Sequence, residues 1–241
     1  MITSILFDLG DTLVHLDRST YDVMEARVQA LHKCLLDGQC ETEYGQLREV
    51  YYAVHSELSM FSQETGVETT TSRVLEEVLA RMATPKPLPW TMDKLVRSFF
   101  EPEIKSWILY DDAIPTLSTL RDHGYRFAVV SNARSHWAVV EIMKRLKIDR
   151  YFQTILTSAS VGLRKPRPEI YLRAMNILGS SPDSTVMIGN SLGIDVLGAK
   201  KLNARALHIE REIAEESLVE PDATIKSLSE ILEVIRQWNK S

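Results

Sequence analysis

From Asp111 onward the chain alternates between short apolar runs and amphipathic segments, and this alternation limits the fold more than any other feature. Short apolar runs predict buried strands, and the segments between them have helical spacing. Strands that alternate with helices form parallel sheets with helices on both faces. The strands are predicted at 125–131, 152–157, 185–188 and 205–209, and the helices at 114–121, 137–146, 169–178, 192–202 and 228–238. The pattern predicts an α/β fold with a Rossmann-like sheet.

The first part of the chain reads differently. Residues 2–8, ITSILFD, form an apolar run that ends in an acid, which predicts a buried strand. The next ninety or so residues carry helix signals and no convincing strand. These helices are predicted at 21–36, 43–61, 70–82 and 92–104, with a proline-rich break at 84–90. We therefore predict a core built from residues 1–14 and 108–241, and an inserted all-helical cap over 15–107.

Charge and composition exclude several classes of partner. The 241 residues include 28 Lys and Arg against 33 Asp and Glu, which gives a net charge of −5. This balance argues against nucleic acid, whose phosphates attract clustered cations. No apolar run approaches the roughly 18 residues of a membrane span, and the first residues lack the basic region of a signal peptide. We expect a cytoplasmic protein, monomer or homodimer, that acts on a small molecule without nucleic acid or membrane partners.

Polar side chains follow the predicted strands where each one ends. They are Asp8 after the first strand, Ser131 and Asn132 after the second, Lys165 in a later loop, and Asn190 with Asp195. Functional sites of parallel sheets gather at this edge. Such a set suits attack by a carboxylate on an anionic electrophile such as a phosphate. The two anions repel each other by about 4 kcal/mol per pair of unit charges at ~4 Å and an effective dielectric of ~20. A lysine and a divalent cation would offset that repulsion. Taken singly, the acids, Ser131 and the Asn residues are explained as helix caps or turns, and Lys165 as part of a solvated basic loop.

As a set and in this order, the segments FDLGDTLV, VVSNA, GLRKPRPEIY and GNSLGID resemble the four motifs of the haloacid dehalogenase-like hydrolase superfamily. The resemblance covers the predicted core, and the insertion is similar to the helical cap of that superfamily. It implies a phosphatase that acts on a small phosphorylated metabolite. Asp8 would be the nucleophile that forms an aspartyl-phosphate, and Lys165 would orient it and neutralise charge.

The resemblance also implies a substrate site and a Mg²⁺ site. The implied substrate-binding residues are Thr12, Ser131, Asn132 and Lys165. The implied metal ligands are Asp8, the carbonyl of Gly10, Asn190 and Asp195.

Two positions depart from the phosphatase pattern. Gly10 stands where these enzymes carry the acid that protonates the leaving group, and Asp11, one place later, is expected to point elsewhere. Asn190 stands where they carry a metal-binding Asp. An amide oxygen still ligates Mg²⁺, but it removes one negative charge from the ligand set.

These departures leave three functions open. The first is the phosphatase. The second is a 2-haloacid dehalogenase, in which Asp8 attacks carbon and needs neither a proton donor nor a metal. The dehalogenases that the chain resembles carry an aromatic residue at the Gly10 position and an arginine early in the cap, where this chain has Arg18, Arg27 and Arg48 in unfamiliar contexts. The third is a binding protein that kept the fold and lost the chemistry.

Overall fold

The structure, a computed structural model, describes residues 1–83, 91–211 and 219–240. Its centre is a parallel sheet of six strands in the order β5-β4-β1-β6-β7-β8. These strands are β1 (Ser4–Phe7), β4 (Arg126–Ser131), β5 (Thr154–Thr157), β6 (Thr185–Gly189), β7 (Arg205–Ile209) and β8 (Ala223–Ile225). Ser4 of β1 lies opposite Arg126 of β4 and Thr185 of β6. The strand that ends at Asp8 is thus central to the sheet.

Two sets of helices surround this sheet. The cap helices, inserted after β1, are α1 (Thr20–Asp37), α2 (Tyr44–Thr65), α3 (Thr71–Arg81) and α4 (Met92–Ser106). The core helices are α5 (Ala113–Asp122), α6 (His136–Arg145), α7 (Ser158–Val161), α8 (Pro168–Leu178), α9 (Leu197–Lys200) and α10 (Ile231–Lys240). A two-stranded antiparallel ribbon of β2 (Val14–Leu16) and β3 (Trp107–Leu109) lies where the chain enters and leaves the cap. Among the described residues, no helix has both the length and the apolar character needed to cross a membrane.

The apolar residues form three separate clusters. One cluster lies between the sheet and helices α5, α6 and α10 on one face. Another lies between the sheet and helices α8 and α9 on the opposite face. The third, around Tyr51 and Phe99, lies mostly inside the cap and also includes Ala138 of core helix α6. Each fully buried large apolar side chain contributes about 1.5–3 kcal/mol to stability. The cap therefore has an apolar interior of its own.

The predicted α/β fold with a helical cap is confirmed, and three local predictions are wrong. The predicted cap segment contains strand residues at both ends, because the three-residue strands of the ribbon are too short to show alternation. Strand β8 was not predicted, since the run Ala223–Ile225 lacks an apolar pattern. The predicted helix 192–202 begins as a wider π-type turn over Leu192–Val196. The predicted domain boundaries fall at the ribbon, and the proline-rich break at 84–90 lies outside the described residues.

Candidate active site

Three charged side chains meet at the carboxyl end of the sheet. Asp8 follows β1, Lys165 lies in the loop between α7 and α8, and Asp195 lies in the turn after β6. Lys165 Nζ donates hydrogen bonds to Asp8 Oδ1 at 2.6 Å and to Asp195 Oδ1 at 2.7 Å. All three residues are buried. The structure thus joins three residues that are far apart in the sequence into one charged cluster.

The electrostatics of this cluster favour an added cation. Burial and the nearby Asp8 carboxylate, opposed by attraction to Lys165, raise the pKa of Asp195 to about 6. Burial alone would lower the pKa of Lys165, but the attraction of Asp195 and Asp8 outweighs it and raises that pKa. The lysine therefore stays charged. When both carboxylates are ionised they leave one negative charge in excess, which a bound cation would offset.

A glycine makes the approach of Asp195 possible. A Cβ atom built on Gly189, the last residue of β6, would lie 2.2 Å from Asp195 Oδ2. Any other residue would therefore push the carboxylate away from Lys165. The amide of Ser191 donates to the same Asp195 oxygen at 3.2 Å, which fixes the carboxylate from the other side.

The loop after β4 is tied to the lysine loop by one amide. Asn132 Oδ1 accepts from the Lys165 amide at 2.8 Å, and Asn132 Nδ2 donates to the Lys165 carbonyl at 3.0 Å. Both polar ends of Asn132 are therefore engaged with protein backbone. Ser131, one residue earlier, faces the cavity above Asp8, and its hydroxyl has no protein partner among the described residues. Its hydroxyl is free to meet a ligand.

The other predicted site residues divide into two groups. Gly10 and Asn190 line the same cavity as Asp8, Asp195 and Ser131. Thr12 does not line it. This threonine is fully buried in the turn between β1 and β2, and its carbonyl accepts from Arg211 Nη2 at 3.2 Å. Thr12 therefore lies outside the cavity wall, next to the turn that carries Gly10.

The cavity lies between the core and the cap and holds about 460 Å³. Its wall includes six residues that sequence reasoning did not assign to the site. They are Arg27, His55, Glu103 and Trp107 from the cap side, and Arg134 and Arg164 from the core. Of these six, only Arg27 figures in the sequence predictions, as one of the cap arginines. Helical periodicity shows which face of a cap helix is apolar, but not which polar residue meets the core.

Trp107 occupies the space beside Gly10. A Cβ atom on Gly10 would lie 3.3 Å from the far edge of the Trp107 ring, and Trp107 Nε1 donates to Glu103 Oε1 at 3.3 Å. Asp11, which is expected from the sequence to point away from the acid position, is part of the wall of this cavity and of a neighbouring one. Its left-handed backbone, with φ of 53°, turns the chain at this point.

The donor set fits a Mg²⁺ ion. No three His, Cys, Asp or Glu side chains of the described residues gather as a metal site. Asp8, Gly10, Asn190 and Asp195 nevertheless all line one cavity. Mg²⁺ in proteins often takes only one or two carboxylates and completes its shell with water and phosphate oxygens. The excess negative charge of the Asp8–Asp195 pair supports the same conclusion.

Comparison with known proteins places the chain in a family. The model of the haloacid dehalogenase-like hydrolases matches residues 2–203. The chain belongs to the haloacid dehalogenase-like hydrolase family. A glyceraldehyde 3-phosphate phosphatase of Methanopyrus kandleri is 29% identical over 248 residues, with the whole of both chains covered. The pyrophosphatase PpaX of Halalkalibacterium halodurans is 28% identical over 129 residues, which cover 52% of this chain and 59% of that protein.

Solved structures of this hydrolase family share the fold. A 2-haloacid dehalogenase from Pseudomonas syringae pv. Tomato superposes with a TM-score of 0.71 at 23% identity, over 99% of this chain and 100% of that one. A phosphatase from Thermococcus onnurineus gives a TM-score of 0.68 at 23% identity, over 97% and 98% of the two chains. Both the sheet and the helical cap therefore belong to the common architecture.

Proposed function

We propose that this protein is a Mg²⁺-dependent phosphatase that acts on a small phosphorylated metabolite through an aspartyl-phosphate. One observation carries the proposal: the Asp8 carboxylate lies in the wall of a cavity of about 460 Å³ with one of its oxygens fixed by buried Lys165. The phosphatases among the protein's relatives support it.

Each side chain has a separate task in this reaction. Asp8 attacks the phosphorus atom, and the bond between phosphorus and the leaving oxygen breaks. Lys165 fixes Asp8 and offsets negative charge, while the Ser131 hydroxyl donates to a phosphoryl oxygen. Water then hydrolyses the acyl phosphate and restores the Asp8 carboxylate. Gly10 provides no acid for the first step, so the leaving group departs without protonation from that position.

The proposed metal site uses Asp8, the Gly10 carbonyl, Asn190 and Asp195. When bound, Mg²⁺ would lessen the repulsion between the Asp8 carboxylate and the substrate phosphate. Lys165 supplies a further positive charge beside Asp8.

Asp8→Asn tests the nucleophile. The amide keeps the shape of the side chain but lacks the attacking charge, so we expect at least an approximately 10³-fold loss of p-nitrophenyl phosphate hydrolysis in Mg²⁺ buffer. Circular dichroism checks that the variant remains folded. Asp122→Asn, at the exposed end of α5, is the matched control and should keep wild-type turnover. Turnover of the Asp8 variant within about threefold of wild type would contradict the proposal.

A second candidate function, a 2-haloacid dehalogenase, is favoured by the Trp107 ring. Trp107 places an aromatic group against Gly10, the position where the dehalogenases that the sequence resembles carry one. In this reaction Asp8 would attack carbon and expel halide without a metal. Halide release from 2-chloropropionate in EDTA, together with no phosphate release in Mg²⁺, would favour this function over the phosphatase.

A further inference from the structure

Three arginines line the cavity, and one of them differs from the others. Arg27 Nη1 lies 2.6 Å from Glu103 Oε2, and Arg164 Nη1 lies 2.5 Å from Glu68 Oε2. Arg134 has no such carboxylate within the described part of the chain. This arginine is the one cationic side chain of the group whose positive charge no protein anion pairs directly.

The hydrogen bonds of Arg134 are all to neutral atoms. Its Nη1 donates to the Thr69 carbonyl at 3.3 Å and to Thr69 Oγ1 at 2.8 Å, and its Nη2 donates to Ser59 Oγ at 2.9 Å. These contacts hold the guanidinium in place but leave its charge uncompensated. Glu68 attracts it at longer range, but that carboxylate is already bound by Ser158 and Arg164.

Burial makes the missing anion significant. Removal from water lowers the pKa of Arg134, although a guanidinium remains charged at any physiological pH. A partly buried charge is costly unless an opposite charge accompanies it. The nearby His55 adds no charge of either sign, because burial and the repulsion of Arg134 and Arg27 lower its pKa to about 4 and leave it neutral. This side of the cavity is thus positive and lacks an anion.

The position of Arg134 separates it from the reacting end of the site. The arginine follows Ser131 by three residues, lies on the loop that leads into α6, and bonds to residues of the cap. The cavity volume suits a ligand larger than a phosphate group alone. A ligand whose phosphate meets Asp8 and Ser131 therefore has room to extend towards Arg134.

We propose that Arg134 binds a second acidic group of the substrate, which makes the substrate a small phosphate ester that also carries a carboxylate or a second phosphate. This inference rests on the proposed phosphatase function and specifies the substrate class of the same site. Arg134 is then the residue that selects for the acidic group, while Thr69 and Ser59 orient its guanidinium.

Three ligands that differ at one end test this site by binding alone. Glycerol 3-phosphate has a neutral end, 3-phosphoglycerate has a carboxylate, and glycerol 1,3-bisphosphate has a second phosphate. We measure their Kd values by calorimetry in Mg²⁺ buffer with the Asp8→Asn variant, so that no turnover occurs. We expect at least one of the two acidic ligands to bind about 10-fold or more tighter than glycerol 3-phosphate, as for a hydrogen bond between charged groups.

A second substitution assigns the difference to Arg134. Adding Arg134→Gln to the Asp8→Asn variant should bring all three Kd values within about threefold of one another. Adding Arg167→Gln instead, at an arginine outside the cavity wall, should preserve the preference. Adding Arg134→Lys to the Asp8→Asn variant should keep part of the preference.

The outcomes separate this inference from the proposed function. Equal Kd values for the three ligands, or a preference that survives Arg134→Gln, would overturn the second acidic site whether or not the protein is a phosphatase. A preference that depends on Arg134 in a protein without phosphatase turnover would keep the site and overturn the proposed function.

Discussion

At the scale of single residues, the pair of Gly10 and Trp107 sets the chemistry that the site can perform. The indole edge lies within 3.3 Å of a Cβ built at Gly10, so it fills part of the space that an acidic side chain there would need. General acid catalysis typically supplies ~10²–10⁴-fold when the leaving group is a poor one. Alkyl phosphates have such leaving groups, whereas p-nitrophenolate departs without a proton. The protein should therefore favour good leaving groups.

Restoring the acid should reduce this preference only when space is made for it. We expect Gly10→Asp alone to change little, because its side chain meets Trp107. Gly10→Asp combined with Trp107→Ala should raise kcat/KM for glycerol 3-phosphate relative to p-nitrophenyl phosphate by about 10-fold or more. The ratio is measured against Trp107→Ala alone, which shows the effect of the cavity by itself.

Asp11 is the residue that could supply the acid missing at Gly10. Because Asp11 lines the cavity, it is the acidic side chain beside Gly10 able to take over proton transfer. Asp11→Asn should leave the ratio of the two substrates nearly constant. A loss confined to glycerol 3-phosphate would identify Asp11 as the acid and contradict our interpretation of Gly10.

The residues of the site were predictable from the sequence to unequal degrees. Asp8 and Lys165 carry a local signal, because each occurs at a fixed place beside a strand or helix that periodicity reveals. Trp107 and Arg134 carry none. Their importance arises from contacts between cap and core, and Trp107 meets Gly10 only after nearly a hundred intervening residues have folded.

At the scale of elements, the loop between α2 and α3 attaches the cap to the core. Val67 pairs with Leu163 in an antiparallel bridge, and the Glu68 amide donates to the Gly162 carbonyl at 2.9 Å. The Glu68 carboxylate is fully buried and accepts from Arg164 and Ser158. Ser158 Oγ also accepts from the amide of Ala133 at 2.9 Å. One cap residue thus supports both core loops that carry Ser131 and Lys165.

Removing the charge of Glu68 should weaken this attachment. Glu68→Gln leaves Arg164 without its anion, and we expect the free energy of unfolding to fall by about 1–3 kcal/mol. Urea unfolding at neutral pH measures the change. Glu57→Gln is the matched control, since its ion pair with Arg81 is exposed and should contribute less than about 1 kcal/mol. Equal effects of the two substitutions would show that the buried pair has no special role.

The elements themselves were largely predictable, and the failures have physical causes. All four cap helices show helical spacing, and the Ser19 side chain caps α1 by accepting from the Asp22 amide at 3.1 Å. The β2–β3 ribbon could not be predicted from the sequence pattern, because strands of three residues show no periodicity. The pairing of Val14 with Leu109 is a property of the folded chain and leaves no local pattern.

At the scale of the whole molecule, cap and core have separate apolar interiors and enclose the cavity between them. The pKa of His55 in α2 reflects this arrangement. Its ring stacks on Tyr51 at a centroid distance of 5.7 Å. Burial, and after it the repulsion by Arg134 of the core and Arg27 of α1, lowers the pKa of His55 to about 4. Only the repulsion by Arg134 comes from the core, so that part of the lowering depends on the position of the cap over the core.

This arrangement predicts how stability depends on pH. His55 is neutral in the fold but takes up a proton on unfolding below its ordinary pKa of 6.5, so its contribution is intact above pH 6.5 and is lost as the pH falls towards 4. Between pH 7.5 and pH 5 the loss should be about 1–2 kcal/mol. His55→Asn has no group to protonate, so urea unfolding should show a correspondingly smaller loss over the same interval. An identical loss in wild type and variant would contradict the prediction, because it would show that His55 takes up a proton as readily in the folded protein as in the unfolded chain.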